Sequence, residues 1–281
     1  MRILLCGDVL GRSGREAVAK YLPNLKKDLA IDLVVVNVDN AAHGFGVTGE
    51  MARQFFEMGA DVLTGGNHLF DQREAPALLE NEKRLLRPAN MPSTVAGTGI
   101  VEISVKNGLK AAVVHLIGQR FMPLIGENPF DYMNQFLLKY KMGVNVHAIV
   151  VEFHAEATSE KVALGHFLDG RVSVVVGTHT HVPTADERIL EHGTAFQTDI
   201  GMCGDYDSVI GMDKRTSLDG FAKGYSRGKF SPASGEATFC SLLVDTDDST
   251  GLATATETIT IGGRLKPSSK LAATFIPRQK Q

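Results

Sequence analysis

Three times in the first eighty residues, a short apolar run leads through a polar loop into a segment with helical spacing of its apolar side chains. The three runs occupy residues 3–6, 33–38 and 61–64. Strands that alternate with helices in this way form parallel sheets joined by right-handed crossovers. We therefore predict a mixed α/β protein.

After residue 90 the pattern changes, and β-type runs become more frequent. Residues 99–105 and 110–116 are two such runs, and the intervening Lys106-Asn107-Gly108-Leu109 predicts a hairpin turn. The other predicted elements are helices near 131–141 and 159–167, strands at 148–153, 172–176, 239–244 and 253–261, short strands from 195 onward, and a glycine-rich polar loop at 211–235. No repeat or composition break divides the chain, so residues 1–281 are expected to form one domain.

Charge and cysteine content exclude several classes of protein. The chain has 29 Lys and Arg against 32 Asp and Glu, a net charge of -3, which lacks the positive field needed to bind duplex DNA or an anionic membrane. Its three cysteines form no CxxC pair, so neither a disulfide framework nor a thiolate zinc site is expected. There is no apolar window of 18 residues and no secretory signal pattern. A cytoplasmic location is the expectation.

Polar residues of the kind that bind metals follow five of the predicted strands. In chain order they are Asp8, Asp39-Asn40, Asn67-His68, His154, and His179 with His181. Ligands of open α/β sheets bind outside the carboxyl ends of the strands. Oxygen and nitrogen donors without thiolate suit Mn²⁺, Fe²⁺ or Zn²⁺. Seven donors, one of them a carboxylate able to bridge, suit two ions roughly 3.5–4 Å apart.

Each of these pieces also has a simpler interpretation. Gly7-Asp8 and Asp39-Asn40 are compatible with ordinary turns after strands. His154 is compatible with a hydrogen-bonded histidine, and the His179-Thr180-His181 pair with a buried or solvated one. Their common position at one edge of the predicted sheet favours the metal centre, because unrelated turns would not share residue types.

Longer motifs of the chain resemble a known family. Gly7-Asp8, Gly66-Asn67-His68 and residues 177–181 resemble the calcineurin-like metallophosphoesterases, and residues 39–44, 87–90, 153–160 and 176–182 resemble their bacterial YmdB-type branch. The resemblance extends from Met1 to about Asp213. It implies a four-layer αββα sandwich of two mixed sheets flanked by helices. It also implies a dinuclear metal centre and phosphodiesterase activity toward 2′,3′-cyclic nucleotides.

Carried over residue by residue, the resemblance implies the ligands of both metals. It assigns Asp8, Asn40 and His181 to one ion, Asn67, His154 and His179 to the other, Asp39 as the bridge, and His68 as the general acid. Two positions depart from the pattern. Leu10 stands where the superfamily has a histidine ligand, a loss for which Asn40 would compensate. Asp39 is one methylene shorter than the glutamate common in the branch.

The expected chemistry is attack on phosphorus by a water that two cations acidify, while His68 protonates the departing ribose oxygen. If His68 is not the acid, it orients Asn67 or a bound water. His43 and Asn90 are predicted substrate contacts, with a surface position the alternative for His43. The basic segment 213–229 is either a lid or a solvated loop. The basic stretch 264–281 either attracts RNA or is a frayed tail.

The leading hypothesis is a phosphodiesterase acting on a cyclic nucleotide or an RNA-derived phosphoester, in a homo-oligomer. A broad phosphomonoesterase or nucleotidase is the alternative within the enzyme class. A regulatory, RNA-associated protein that uses the metal site to sense a ligand is the alternative outside it, although a sensor would not need His68. An amidohydrolase also uses a His-x-His pair, but there the pair follows the first strand.

Overall fold

The computed structural model describes residues 1–123, 126–225 and 228–268. Its strands are β1 (Arg2–Cys6), β2 (Asp8–Val9), β3 (Leu33–Asn37), β4 (Val62–Thr64), β5 (Leu85–Leu86), β6 (Ile100–Ser104), β7 (Lys110–Ile117), β8 (Ala148–His154), β9 (Val174–Thr178), β10 (Arg188–Ile189), β11 (Ala195–Gln197), β12 (Met202–Cys203), β13 (Phe239–Thr246) and β14 (Ala253–Ile261). Its helices are α1 (Gly11–Asp28), α2 (Gly49–Glu57), α3 (Ala75–Asn81), α4 (Pro129–Lys139), α5 (Thr158–Leu168) and α6 (Lys214–Lys223), with short 3₁₀ turns at Leu69–Asp71 and Lys106–Gly108.

The strands form two large mixed sheets. The first sheet has the order β14-β13-β1-β3-β4-β5, in which β1, β3, β4 and β5 run parallel. The second has the order β10-β11-β9-β8-β7-β6, in which β7, β8, β9 and β11 run parallel. A separate parallel pair joins β2 to β12. The predicted parallel start of the chain and the predicted β6–β7 hairpin are both confirmed.

The side chains of β1 show why its apolar run does not alternate with polar residues. Ile3 and Leu5 pack into a core between the two sheets, whereas Leu4 and Cys6 pack under the outer helices. A strand covered on both faces has no side chain left for solvent. Burial of each such side chain contributes about 1.5–3 kcal/mol.

Helices cover the outer face of each sheet. The first sheet shares one core with α1, α2 and α3, and the second sheet shares another with α4 and α5. The third core lies between the sheets. The expected four-layer sandwich is therefore confirmed. Among the described residues, no helix is long and apolar enough to cross a membrane.

The predicted loop at 211–235 is wrong for its first half, which contains α6. The Asp213 side chain caps the start of this helix by accepting a hydrogen bond from the Arg215 amide, and Gly224 ends it with a φ of 75°. An Asp before a helix and a Gly after it are ordinary start and stop signals. The glycine content of the segment had obscured them.

The positive charges of this segment are largely paired in the structure. Lys214 pairs with Asp207 at 2.7 Å, and Lys223 pairs with Asp219 at 2.6 Å. A paired cation is less available to a phosphate, so these contacts favour the surface interpretation over the lid. Arg227, and residues 269–281 of the basic C-terminal stretch, lie outside the described residues.

Candidate metal centre

The carboxyl ends of five strands meet at one edge of the sandwich. Chain segments that follow β1, β3 and β4 come from the first sheet, and the ends of β8 and β9 come from the second. The structure brings together all seven residues that the sequence predicts as metal ligands, namely Asp8, Asp39, Asn40, Asn67, His154, His179 and His181. The cluster is thus shared between two sheets that pack face to face.

One half of the cluster is centred on His154, which is fully buried. Its Nε2 atom lies 3.0 Å from Oδ1 of Asn67, 3.1 Å from Nδ1 of His179 and 3.4 Å from Oδ2 of Asp39. Ligand atoms about 2.0–2.2 Å from one cation are about 3.0–3.5 Å from each other. These four side chains therefore have the spacing of neighbours in a coordination shell.

The other half contains Asp8, Asn40 and His181. Nε2 of His181 lies 3.2 Å from Oδ1 of Asn40 and 3.9 Å from Oδ1 of Asp8. The Asn40 amide nitrogen donates to the Gly44 carbonyl, which turns Oδ1 toward His181. Oδ2 of Asp8 accepts the His179 backbone N–H, while Oδ1 of Asp8 is buried and has no hydrogen-bond partner among the described residues.

Those residues fit a divalent cation. A buried carboxylate oxygen without a partner is costly unless a cation or donor meets it, and Asp8 Oδ1 is such an atom. Within the described ranges, no three His, Cys, Asp or Glu side chains already form a complete metal-holding group. Each half of the cluster also includes one carboxamide, Asn67 or Asn40, whose Oδ1 lies 3.0–3.2 Å from a histidine Nε2.

Hydrogen bonds fix which nitrogen of two histidines faces the cluster. Nδ1 of His154 lies 2.9 Å from the Thr178 hydroxyl, which donates to Glu152 and must therefore accept from His154. Nδ1 of His181 lies 2.8 Å from the Ile210 carbonyl, which can only accept. Both rings carry their hydrogen on Nδ1, so Nε2 presents its lone pair to the cluster.

His179 has the opposite orientation. Its Nε2 atom lies 3.2 Å from a carboxylate oxygen of Glu156, and its Nδ1 atom faces His154. The acidic partner on the outer nitrogen favours a lone pair on Nδ1. A carboxylate behind a metal-binding histidine orients the ring and raises its basicity.

Burial lowers the pKa values of two histidines of the cluster, which is the direction that metal binding requires. It lowers the pKa of His179 to about 3 and the pKa of His154 well below its ordinary value. Both rings are therefore neutral, the state that binds metals. Burial raises the pKa of Asp8 to about 7 and also raises that of Asp39, because neither carboxylate has a compensating cation.

The backbone of the His-x-His segment is unusual. His179 has a φ of 94° and His181 a φ of 66°. Side chains other than glycine are uncommon in this region, and each such residue costs on the order of 1–3 kcal/mol. Strain of this kind persists only where surrounding contacts hold it.

His68 lies beside the cluster and directly follows Asn67. Its backbone N–H donates to Asp39 Oδ1 at 3.0 Å, and its Nδ1 atom lies 2.7 Å from Oδ2 of Asp71. The ring is edge-on to Phe45, 5.0 Å between centroids. The side chain is 31% exposed, so this histidine is open to solvent, whereas Asp39 and His154 beside it are fully buried.

A family model described as YmdB-like protein matches residues 4–259. The chain belongs to the YmdB-like family. The match extends well past Asp213, where the recognised motifs end, and includes β13 and β14 of the first sheet. A relative from Bacillus subtilis (strain 168), named 2′,3′-cyclic-nucleotide 2′-phosphodiesterase, is 42% identical over 261 residues, which are 93% of this chain and 97% of the relative.

Solved structures of similar proteins agree with this YmdB-like assignment. A hypothetical protein from Thermus thermophilus superimposes with a TM-score of 0.86 at 38% identity, covering 94% of this chain and 100% of that one. A protein from Mycoplasma pneumoniae, described as a novel phosphatase, superimposes with a TM-score of 0.86 at 34% identity, covering 98% and 96%. The fold is therefore shared with these two solved chains over nearly its whole length.

Three other predicted positions have different surroundings in this YmdB-like chain. His43 is exposed and has a φ of 55°, in the turn that also contains Asn40. Asn90 is fully buried, and its amide binds the backbone of Ile117 and Glu127. It therefore links its own segment to the end of β7 and to the loop before α4. Leu10, at the superfamily's histidine position, is buried and packs against Gly211.

The sequence reasoning missed the partners that orient the ligands. Thr178, Glu156 and Asp71 each contact a predicted site residue. Asp71 follows His68 by three residues and Glu156 follows His154 by two, so both lay inside or beside motifs already noted. Polar residues close to predicted ligands were the available signal. The Ile210 carbonyl carried no signal, because it comes from a distant loop.

Proposed function

We propose that this chain is a dinuclear-metal phosphodiesterase that hydrolyses cyclic nucleotides, 2′,3′-cyclic species first, with His68 as the general acid. As a YmdB-like protein, the chain is a phosphoester hydrolase of the metallophosphoesterase type. The proposal adds the number of metal ions, the substrate and the role of His68.

The convergence of Asp39, Asn67 and His179 on His154 Nε2, at 3.0–3.4 Å, carries the proposal. Neutral imidazoles, a carboxamide and a carboxylate suit Fe, Mn or Zn. Asp39 contacts His154 in one half of the cluster, accepts the His68 backbone N–H, and directly precedes Asn40 of the other half in the chain. This position supports a bridging role for its carboxylate.

In the proposed enzyme, Asp8, Asn40 and His181 would hold one ion, Asn67, His154 and His179 would hold the other, and the Asp39 carboxylate would serve both. When bound, two such ions neutralise phosphate charge and acidify water. The protein's own contribution to proton transfer is His68. Nδ1 of His68 is hydrogen-bonded to Asp71. Nε2 is therefore the nitrogen available to deliver a proton to the ribose oxygen that leaves phosphorus.

A cyclic 2′,3′ ester suits this arrangement. The attacking water loses one proton to solvent as its oxygen bonds to phosphorus, and one phosphorus–ribose oxygen bond breaks. His68 supplies the proton that the departing oxygen gains, and solvent then reprotonates His68. The name of the Bacillus subtilis relative supports the same substrate class. Such esters occur as free nucleotides and at the ends of cleaved RNA, and both belong to the proposed substrates.

The test is elemental analysis of the purified protein together with turnover of 2′,3′-cAMP, 3′,5′-cAMP and a 5′-monophosphate. We expect about two transition-metal ions per chain and preferential opening of the 2′,3′ ring. Asp39→Asn should lose metal and turnover together. One ion or none in the wild type, or turnover unchanged in Asp39→Asn, would contradict the bridged centre.

The second candidate function is a broad phosphomonoesterase, which is favoured by the description of the Mycoplasma pneumoniae protein as a phosphatase. Product analysis separates the two. A diesterase should accumulate the ring-opened monophosphate, whereas a monoesterase should release inorganic phosphate from that product and from the 5′-monophosphate.

A further inference from the structure

Thr180 lies between His179 and His181, both of which have a positive φ. The hydrogen bonds of Thr180 are made with Asp199, which is not one of the predicted ligands. Its hydroxyl donates to Oδ2 of Asp199 at 2.7 Å, and its backbone N–H donates to the same oxygen at 3.2 Å. Both groups of one residue are therefore bound by a single carboxylate oxygen. His179 and His181 project from either side of this anchor.

Asp199 is in turn fixed from several directions. It is fully buried, and its other carboxylate oxygen accepts the Gly201 N–H at 2.8 Å. Its own backbone N–H donates to the Thr184 hydroxyl at 2.9 Å. Because these contacts hold Asp199 in place, its hydrogen bonds restrict the position of Thr180.

Lys161 balances the charge of this aspartate. Its Nζ atom lies 2.8 Å from Oδ2 of Asp199, and both side chains are 1% exposed. Lys161 belongs to α5, whereas Asp199 follows β11. A buried lysine is uncommon unless it is paired, and here the pair is joined to the histidine segment through Thr180.

The backbone at Gly177, just before the histidine segment, is closely packed. A Cβ atom on Gly177 would lie 1.8 Å from the Thr198 carbonyl oxygen and 2.8 Å from Cδ of Lys161. The Gly177 carbonyl also accepts the Ile200 N–H at 3.1 Å. The strand that leads into the histidines is thus pressed against the residues that flank Asp199.

We propose that Thr180, Asp199 and Lys161 form a positioning unit that holds His179 and His181 in the backbone geometry required to bind metal. The unit touches neither substrate nor metal, so its members are positioning residues. The proposal rests on the proposed metal centre for its functional meaning. Partners of this kind typically change metal affinity by about 10–100-fold when removed.

The first test compares Thr180→Val with Thr180→Ser. Valine keeps the shape of threonine and removes the hydroxyl, whereas serine keeps the hydroxyl. Metal is stripped with EDTA, and Mn²⁺ binding is measured by isothermal titration calorimetry. We expect about 10-fold weaker Mn²⁺ binding for Thr180→Val and near wild-type binding for Thr180→Ser.

A second variant removes the ion pair without leaving a lone buried charge. Lys161→Met with Asp199→Leu replaces two charged side chains by apolar ones of similar size, a change that folded proteins often tolerate. Thermal unfolding of the metal-free protein checks that the fold is retained. We expect this folded double variant to bind Mn²⁺ about 10–100-fold more weakly than the wild type.

Wild-type Mn²⁺ affinity in both Thr180→Val and the folded double variant would overturn the proposal and leave the proposed function intact. An equal loss of Mn²⁺ affinity in Thr180→Ser and Thr180→Val would also overturn it, because the missing hydroxyl would not be the cause.

If the wild type binds no Mn²⁺, the proposed metal centre is wrong. In that case, crystal structures of metal-free Thr180→Val and of the double variant test the positioning unit. A positive φ retained at His179 and His181 in both variants would overturn the unit. Loss of the positive φ would support it.

Discussion

Nδ1 of His68 lies 2.7 Å from Oδ2 of Asp71, across one short turn of the chain. The contact holds the imidazole by one nitrogen and leaves the other available. Because the Asp39 carboxylate binds the His68 backbone N–H, the same residue is also tied to the centre of the cluster. A histidine fixed at its backbone N–H and at Nδ1 is well suited to deliver a proton from Nε2 at a fixed place.

Replacing His68 by alanine should separate catalysis from metal binding. We expect kcat for 2′,3′-cAMP to fall by about 10²–10⁴, with metal content unchanged, because His68 is not among the proposed ligands. His192→Ala, at an exposed histidine far along the chain, is the control and should keep full activity. Unchanged turnover in His68→Ala would refute the acid assignment.

Asp71→Asn should have a smaller effect of the same kind. The asparagine keeps the size of the side chain but removes the charge that orients Nδ1 of His68. We expect about a 10-fold loss in kcat with little change in KM, since the substrate contacts remain. A loss expressed in KM alone would show that Asp71 acts on binding.

Asp8 predicts a pH dependence of stability in the metal-free protein. Burial raises the pKa of its carboxyl from the ordinary 3.8 to about 7, so the native state holds a proton that the unfolded state releases. Its contribution is present below about pH 4 and is lost as the pH rises toward 7.

The measurement is urea unfolding in EDTA, for the wild type and Asp8→Asn, between pH 4 and 8. The wild-type free energy of unfolding, relative to the variant, should fall with rising pH by up to about 1.4 kcal/mol per pH unit, and level off above about pH 7. A constant difference across this range would contradict the raised pKa.

Gly177→Ala should be among the most damaging single changes in the chain. The added Cβ would lie 1.8 Å from a backbone carbonyl oxygen, and backbone on both sides would have to move. We expect more than about 4 kcal/mol of lost stability, or no folded protein. Gly108→Ala is the control. It has a positive φ of 75° but nothing within 4 Å of the added atom, so about 1 kcal/mol is expected. Similar unfolding midpoints for the two variants would rule out the close contact.

The strand-to-helix pattern of the first eighty residues was sufficient to predict β1, β3 and β4 and their parallel order, because each is buried on both faces. The ligand set was predictable for a related reason. Parallel strands of one sheet place their carboxyl ends together, so Asp39 and Asn67 were expected near one another after β3 and β4, and His154 and His179 after β8 and β9.

Contacts between distant loops were beyond the sequence. The hydrogen bond from His181 to the Ile210 carbonyl depends on how a loop folds back over 29 residues, and a backbone carbonyl has no identity in the sequence. The contacts of Asn90 were equally beyond the sequence. Its amide resembles a ligand in the sequence, and in the structure it donates to the Ile117 and Glu127 carbonyls and accepts the Ile117 N–H.

Asp39 follows a strand of the first sheet and His154 ends a strand of the second, and their side chains meet at 3.4 Å. Neither sheet by itself carries a complete cluster. A chain cut between β5 and β6 would leave each fragment with fewer than the seven predicted ligands, and only reassociation of the two fragments would restore them. If the proposed metal centre forms, metal uptake would report whether the two fragments have docked, and a split form of this protein would sense the proximity of whatever is fused to each fragment.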